Sequence, residues 1–191
     1  MYNDKLMPIL SDIERKDIDI AGGSVVGMVL SIVNSLITYT CNLTKDKKKY
    51  ENVRDEVIKI IEEAKSLRDK SIEAIDIDKK IVREILDAYK NRKEEPQEYE
   101  NSIEKSAFFC IDVTNIALDT LKLAHKISKI GNRMLSSDFK ICILYSFASV
   151  EASIENVKIN ALEIQNEELR NRLTLEYQKI LEEAKNIYRN V

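Results

Sequence analysis

The sequence predicts an all-α fold, a single-domain bundle of about seven helices around two buried central ones, and three observations predict it. Ile20 to Thr44 is a run of twenty-five residues without a charge, in a chain whose composition is one-third charged. Four glycines and two prolines in 191 residues are too few to punctuate a many-stranded sheet. Elsewhere, apolar residues recur at three- and four-residue intervals, the period of a helix with one buried face. A chain of this length buries a substantial core, and 44% hydrophobic residues is ordinary for a globular domain.

Met1 to Asp17 carries Leu6, Leu10 and Ile13 at helical spacing and predicts a short amphipathic helix covering one side of the bundle. The uncharged stretch follows, with Gly22, Gly23 and Gly27 at its start. Such glycines serve either positive φ or close backbone approach. Ser24 is placed to cap the first turn. Beyond it, Val25, Val26, Met28, Val29, Ile32, Val33, Leu36 and Ile37 fall on nearly every side of the wheel, so this helix is expected to be buried all round. It is long enough to span a bilayer, but Asn34 and several Ser and Thr residues run through it. A central helix of a bundle without membrane contact is the better reading.

Tyr50 to Ile75 reads as a one-faced surface helix. Asp76 and Asp78 interrupt it before a short stripe from Ile81 to Tyr89, and Asn91 to Gln97, with Pro96 and four charges, reads as a loop. A helix from Glu98 to Ser128 carries two apolar stripes, and Gly131 closes it as a C-terminal cap residue would. The next, Phe139 to about Gln165, is nearly uncharged until Glu151 and is the second central helix; Glu167 to Asn190 packs back on the outside. The whole chain, residues 1–191, reads as one domain.

The net charge of −3 and pI near 5.5 argue against nucleic acid as a partner. Cys41, Cys110 and Cys142, far apart and embedded in apolar pattern, read as reduced core residues of a cytoplasmic protein without metal-type spacing. The start, with Asp4 and Lys5, does not read as a signal peptide. His125, the only histidine, excludes a multi-histidine zinc site and reads as lying on an exposed turn rather than as a catalyst.

Two stretches resemble a known family. IAGGSVVGMVLSIVNSLITYTCNLT is similar to the glycine-rich segment and following helix of the formimidoyltetrahydrofolate cyclodeaminase and methenyltetrahydrofolate cyclohydrolase family. GN-x4-SD followed by NVKIN is similar to its second motif, and KKKYENV and AIDID fall between them in the expected order. The resemblance implies an all-helical domain forming homodimers or higher oligomers, and an enzyme of folate one-carbon metabolism, hydrolase or lyase, that needs neither metal nor cofactor. Carried over, it implies substrate contacts at Gly22, Gly23, Asn132, Ser137, Asn156, Lys158 and Asn160 and catalytic roles for Asp138 and Ser24. Asp138 would act as proton carrier and counter-charge to a folate cation; Asp87 and Asp112, which lie beside apolar helical positions but on no family motif, are the next acids. Departures are Ile20 and Ala21 in place of Pro and Gly, Arg133 and Met134 in place of Pro and Asn, Arg83 in place of an aspartate, Asn91-Arg92 in place of Leu-Pro, and Cys110 in place of a proline. They keep open an alternative, a catalytically lapsed folate-binding or structural helical oligomer. Each motif residue also has a plain structural role open to it: Gly22 and Gly23 in the turn, Ser24, Ser137 and Asp138 as helix caps, Asn156 and Asn160 bonding buried backbone.

Overall fold

The computed structural model describes residues 2–16 and 20–190, and among them every regular element is helical. Six α-helices follow one another: α1 (Tyr2–Glu14), α2 (Gly22–Lys45), α3 (Arg54–Lys90), α4 (Pro96–Ile130), α5 (Ser136–Glu163) and α6 (Glu167–Arg189). Short 3₁₀ turns at Lys48–Val53 and Arg133–Leu135 lead into α3 and α5.

Six helices stand where the sequence suggested about seven because Asp76 and Asp78 do not break α3. Neither acid removes a backbone donor, and both are carried within one helix of 37 residues, about 55 Å long. Pro96 begins α4 at the position where its missing N–H costs nothing. Gly131 closes α4 in extended conformation, and a side chain there would meet the Phe139 ring and the Ile127 carbonyl, so close approach is what requires glycine.

The main core lies where α2, α3, α4 and α5 meet, filled by Leu30, Ile37, Ile60, Leu121, Ile143 and Ile154. Asn34, fully buried in α2, donates to Thr120 Oγ1 of α4 at 2.9 Å and to its own helix at Leu30 O. A second cluster, around Ile103, Val157, Ile164 and Leu173, holds α4, α5 and α6 together at the other end.

The two central helices are not covered on all sides, as the sequence led us to expect. α2 presents Val25, Ile32, Tyr39 and Leu43 to solvent, and α5 presents Ile141, Tyr145, Ala148, Ala152, Ile159 and Leu162. In α1, too, Leu6, Met7, Ile9 and Leu10 are exposed instead of covering the bundle; Asp17, at the end of the segment expected there, lies outside the described residues. α2 is the one described helix long and apolar enough to cross a membrane, and half of its most apolar window is buried inside the fold.

Candidate active site

α2 starts at Gly22, with Ala21 at the cap position and without a capping side chain of its own there. Ser24 therefore sits inside the first turn rather than at the cap. Its side chain turns outward from its own helix to α3. The Ser24 N–H and hydroxyl both donate to Asp78 Oδ2, each at 2.7 Å, and Asp78 is nearly fully buried. A carboxylate thus stands against the helix N-terminus, where the positive end of the dipole favours negative charge.

The glycines make this approach possible. A side chain at Gly23 would collide with the Asp78 carboxylate, and one at Gly27 would meet Ile75 and the Ser71 carbonyl at 2.9 Å. The first-turn N–H groups of Gly22 and Gly23 have no acceptor within the helix. Asn156 of α5 stands beside Gly22, its Oδ1 in ordinary contact distance of a side chain built there, at 3.9 Å. One turn on, Asn160 Nδ2 donates to Asn156 O at 2.9 Å and to Cys110 Sγ at 3.5 Å. Cys110 brings α4 to the same place, and burial first, then the charge of Asp78, pushes its thiol up to about 12. It is a neutral thiol at physiological pH.

Gly22, Gly23, Ser24, Asn156 and Asn160, predicted from sequence, thus converge from α2 and α5. Lys158 does not join them: its Nζ pairs with Glu155 Oε1 at 2.7 Å, which raises its pKa, and it lies over the Tyr177 ring. Asp78 was assigned no role from the sequence, yet it is the carboxylate here. The signal was available, since Ser71, Ala74, Asp78 and Ile81 follow the buried spacing of α3 and an acid on that stripe asks for a reason.

Asn132, Ser137 and Asp138 stand elsewhere. Thr44 Oγ1, at the last turn of α2, accepts the Asn132 N–H at 3.1 Å, which places them twenty residues, about 30 Å, from Ser24. Asn132 is buried and its side chain accepts the Met134 N–H, capping the 3₁₀ turn. Leu135 occupies the cap position of α5, so Ser137 and Asp138 lie within the first turn rather than capping it. Ser137 is exposed, and Asp138 is half-buried beside Cys142, whose thiol burial and then the Asp138 charge push up to about 12. Asp87 is exposed and paired with Lys90, and Asp112 is exposed. His125 lies within α4, half-buried, not on a turn.

Among the described residues no group of three or more His, Cys, Asp or Glu could hold a metal ion. Grooves of about 950 Å³ between α4 and α6, around Phe108 and Arg172, and about 420 Å³ between α3 and α4, around Glu84 and Lys105, do not touch Ser24 or Asp78.

With this geometry in hand, the relatives are informative. The profile of the formiminotransferase-cyclodeaminase family matches residues 6–179, nearly the full length. The chain belongs to that family. A methenyltetrahydrofolate cyclohydrolase of Methylorubrum extorquens is 25% identical over 170 residues, 85% of this chain and 82% of the relative. The crystal structure of a formiminotetrahydrofolate cyclodeaminase from Thermotoga maritima superposes with a TM-score of 0.87 at 25% identity, over 93% of this chain and 88% of that one. The all-helical fold observed here is shared with that cyclodeaminase, and the constellation of Ser24 and Asp78 lies well inside the matched span.

Proposed function

We propose that this chain is a folate one-carbon enzyme, hydrolysing the methenyl bridge of methenyltetrahydrofolate to the formyl form or closing a formimidoyl group with loss of ammonia, in the cytoplasm and as a homodimer. The observation that carries this reading is the buried Asp78 carboxylate held by both donors of Ser24 at a glycine-lined helix N-terminus. Both reactions pass through a carbon bonded to two nitrogens and tetrahedral on the way. In the hydrolysis, water adds to the methenyl carbon, one proton leaves and one C–N bond opens. In the closure, N10 adds to the formimidoyl carbon and ammonia leaves after protonation.

Asp78 takes or returns the proton and offsets the delocalised cation, while Ser24 holds the carboxylate in one orientation. The N–H groups of Gly22 and Gly23 face the electron-rich atoms of the ligand, and Asn156 and Asn160 supply amide contacts to the pterin. The residues on hand perform these steps without a cofactor or metal.

The test is turnover by the purified protein. Methenyltetrahydrofolate absorbance should fall faster than in buffer, or formimidoyltetrahydrofolate should release ammonia. If neither substrate is consumed, catalysis is refuted. A folate-dependent rise in melting temperature without turnover would then select the lapsed, folate-binding reading, since a ligand at 100 times its Kd adds about 2.7 kcal/mol.

A further inference from the structure

We propose that Cys110 is a positioning residue for the substrate: its sulfur holds the Asn160 amide with Oδ1 turned to the site, where that oxygen accepts a hydrogen bond from the amino-pyrimidinone edge of the pterin. This inference rests on the folate reading above and adds which edge of the ring Asn160 takes and what fixes the amide for it.

The Asn160 amide can stand only one way round. Asn156 O is a backbone carbonyl, which accepts and never donates, so the group 2.9 Å from it is Nδ2. The second Nδ2 proton goes to Cys110 Sγ at 3.5 Å, from α5 across to α4. Both amide hydrogens are then used inside the protein, and Oδ1 is left on the other side of a planar group. Among the described residues nothing donates to that oxygen, yet it is open to water, unlike the sealed Oδ1 of Asn34 in the core. A free acceptor on a half-buried side chain, one turn from Asn156 and Gly22, is what a ligand donor can use.

The sulfur suits this task. Burial, and after it the charge of Asp78, keeps the thiol protonated, so Sγ is a neutral acceptor, and the Ser106 hydroxyl, buried one turn earlier on α4, turns to the same atom. Without the sulfur, Asn160 keeps only the bond to its own helix, and its amide can swing about that single contact. The proline that the family pattern places at this position offers no such acceptor, so the hold on Asn160 belongs to this chain and not to the motif.

A fixed acceptor discriminates by where the ligand carries hydrogen. The pyrimidinone ring of a tetrahydrofolate has an exocyclic amine beside a ring N–H, which are donors, and a carbonyl next to them, which suits the N–H groups of Gly22 and Gly23. The Asn156 amide, with no side-chain bond among the described residues, can present either end.

Three measurements test this. In nitrogen-edited NMR of the parent, the Asn160 side-chain amide protons should exchange with water more slowly than those of the exposed Asn171, by about 3–10-fold, the worth of one neutral hydrogen bond. Cys110→Ala should remove most of that protection and Cys110→Ser, which keeps an acceptor, should retain it. Equal exchange at Asn160 and Asn171 in the parent overturns the positioning role, and this result needs no folate. In turnover, Cys110→Ala should raise KM by about 3–10-fold with kcat nearly unchanged, and Cys110→Ser should restore it. A purely structural thiol would instead lower the melting temperature of both variants and leave KM alone, which overturns the proposal. Last, equilibrium binding of 5-formyltetrahydrofolate should weaken by about tenfold or more when its 2-amino group is replaced by hydrogen, and Asn160→Ala should abolish that preference. A preference that survives in Asn160→Ala assigns the amine to another acceptor and overturns the ligand assignment. A parent that binds neither compound overturns the folate reading and the ligand assignment together, while the exchange rates still decide whether Cys110 holds Asn160.

Discussion

Asp78 Oδ2 receives two hydrogen bonds from Ser24, one from the backbone N–H and one from the hydroxyl, and both are 2.7 Å long. An asparagine at position 78 can still accept both through its amide oxygen, so folding has little to lose. The carboxylate's charge and its proton chemistry are lost outright. Asp78→Asn is expected to lower turnover of the folate substrate by roughly 10²–10⁴-fold. Its melting temperature should move by no more than about 4 °C. Steady-state kinetics and calorimetry on the same preparation check this, and unchanged turnover would remove Asp78 from the chemistry.

Gly23 and Gly27 separate position from packing. A methyl at Gly23 strikes the Asp78 carboxylate, whereas one at Gly27 strikes Ile75 and the Ser71 backbone, away from the site's polar atoms. Gly27→Ala should therefore push α2 from α3 and destabilise by about 1–3 kcal/mol, with turnover retained in the molecules that fold. Gly23→Ala should lose turnover out of proportion to its loss of stability. Urea unfolding together with kcat for the two variants makes the comparison.

Ile32 tests the homodimer alone. At 66% exposure it is costly to leave in water but free of contacts that folding needs. On the proposed homodimer, Ile32→Asp should fold as well as the parent and sediment as a monomer, since it sets a charge in the middle of the exposed apolar side of α2. Sedimentation velocity at micromolar concentration reads it directly. A dimer that persists with Asp at this position places the interface on another face.

The helical class and the two central helices were legible because long uncharged runs have few places to go in a folded chain. The error at Asp76 and Asp78 came from treating acids as breaks, when a helix interrupts for lack of a backbone donor and not for charge. The candidate site's geometry was half legible. Gly22, Gly23, Ser24, Asn156 and Asn160 meet because α2 and α5 run antiparallel with these residues at the same end. Asp138 was preferred to Asp78 because it shares a motif with Asn132 and Ser137, and no periodicity in one chain could say that this motif sits some 30 Å from Ser24. Nor does a hydrophobic pattern distinguish a helix buried on every side from one that leaves an apolar side to solvent, which is why Val25 and Ile32 read as core.

The buried thiols give the pH dependence its sign. Burial pushes Cys41, Cys110 and Cys142 from an ordinary 9.0 up to about 12, with Cys142, Asp78 and Asp138 respectively the neighbouring groups that add to it. Between those two values the unfolded chain has lost these protons and the folded chain has kept them. Stability is then fully present below pH 9 and falls as pH rises toward 12, at about 1.4 kcal/mol per pH unit for each thiol. With three thiols the fall between pH 7 and pH 10 is expected to be on the order of 4 kcal/mol, measured as a drop in the urea midpoint at constant m. Lysine and tyrosine titrations overlap this range, so the decisive comparison is Cys142→Ala, which costs some packing at every pH but should flatten the alkaline slope by about a third. An identical slope in that variant would show that the thiol ionises as readily in the folded chain as in the unfolded one, and that Cys142 is open to water.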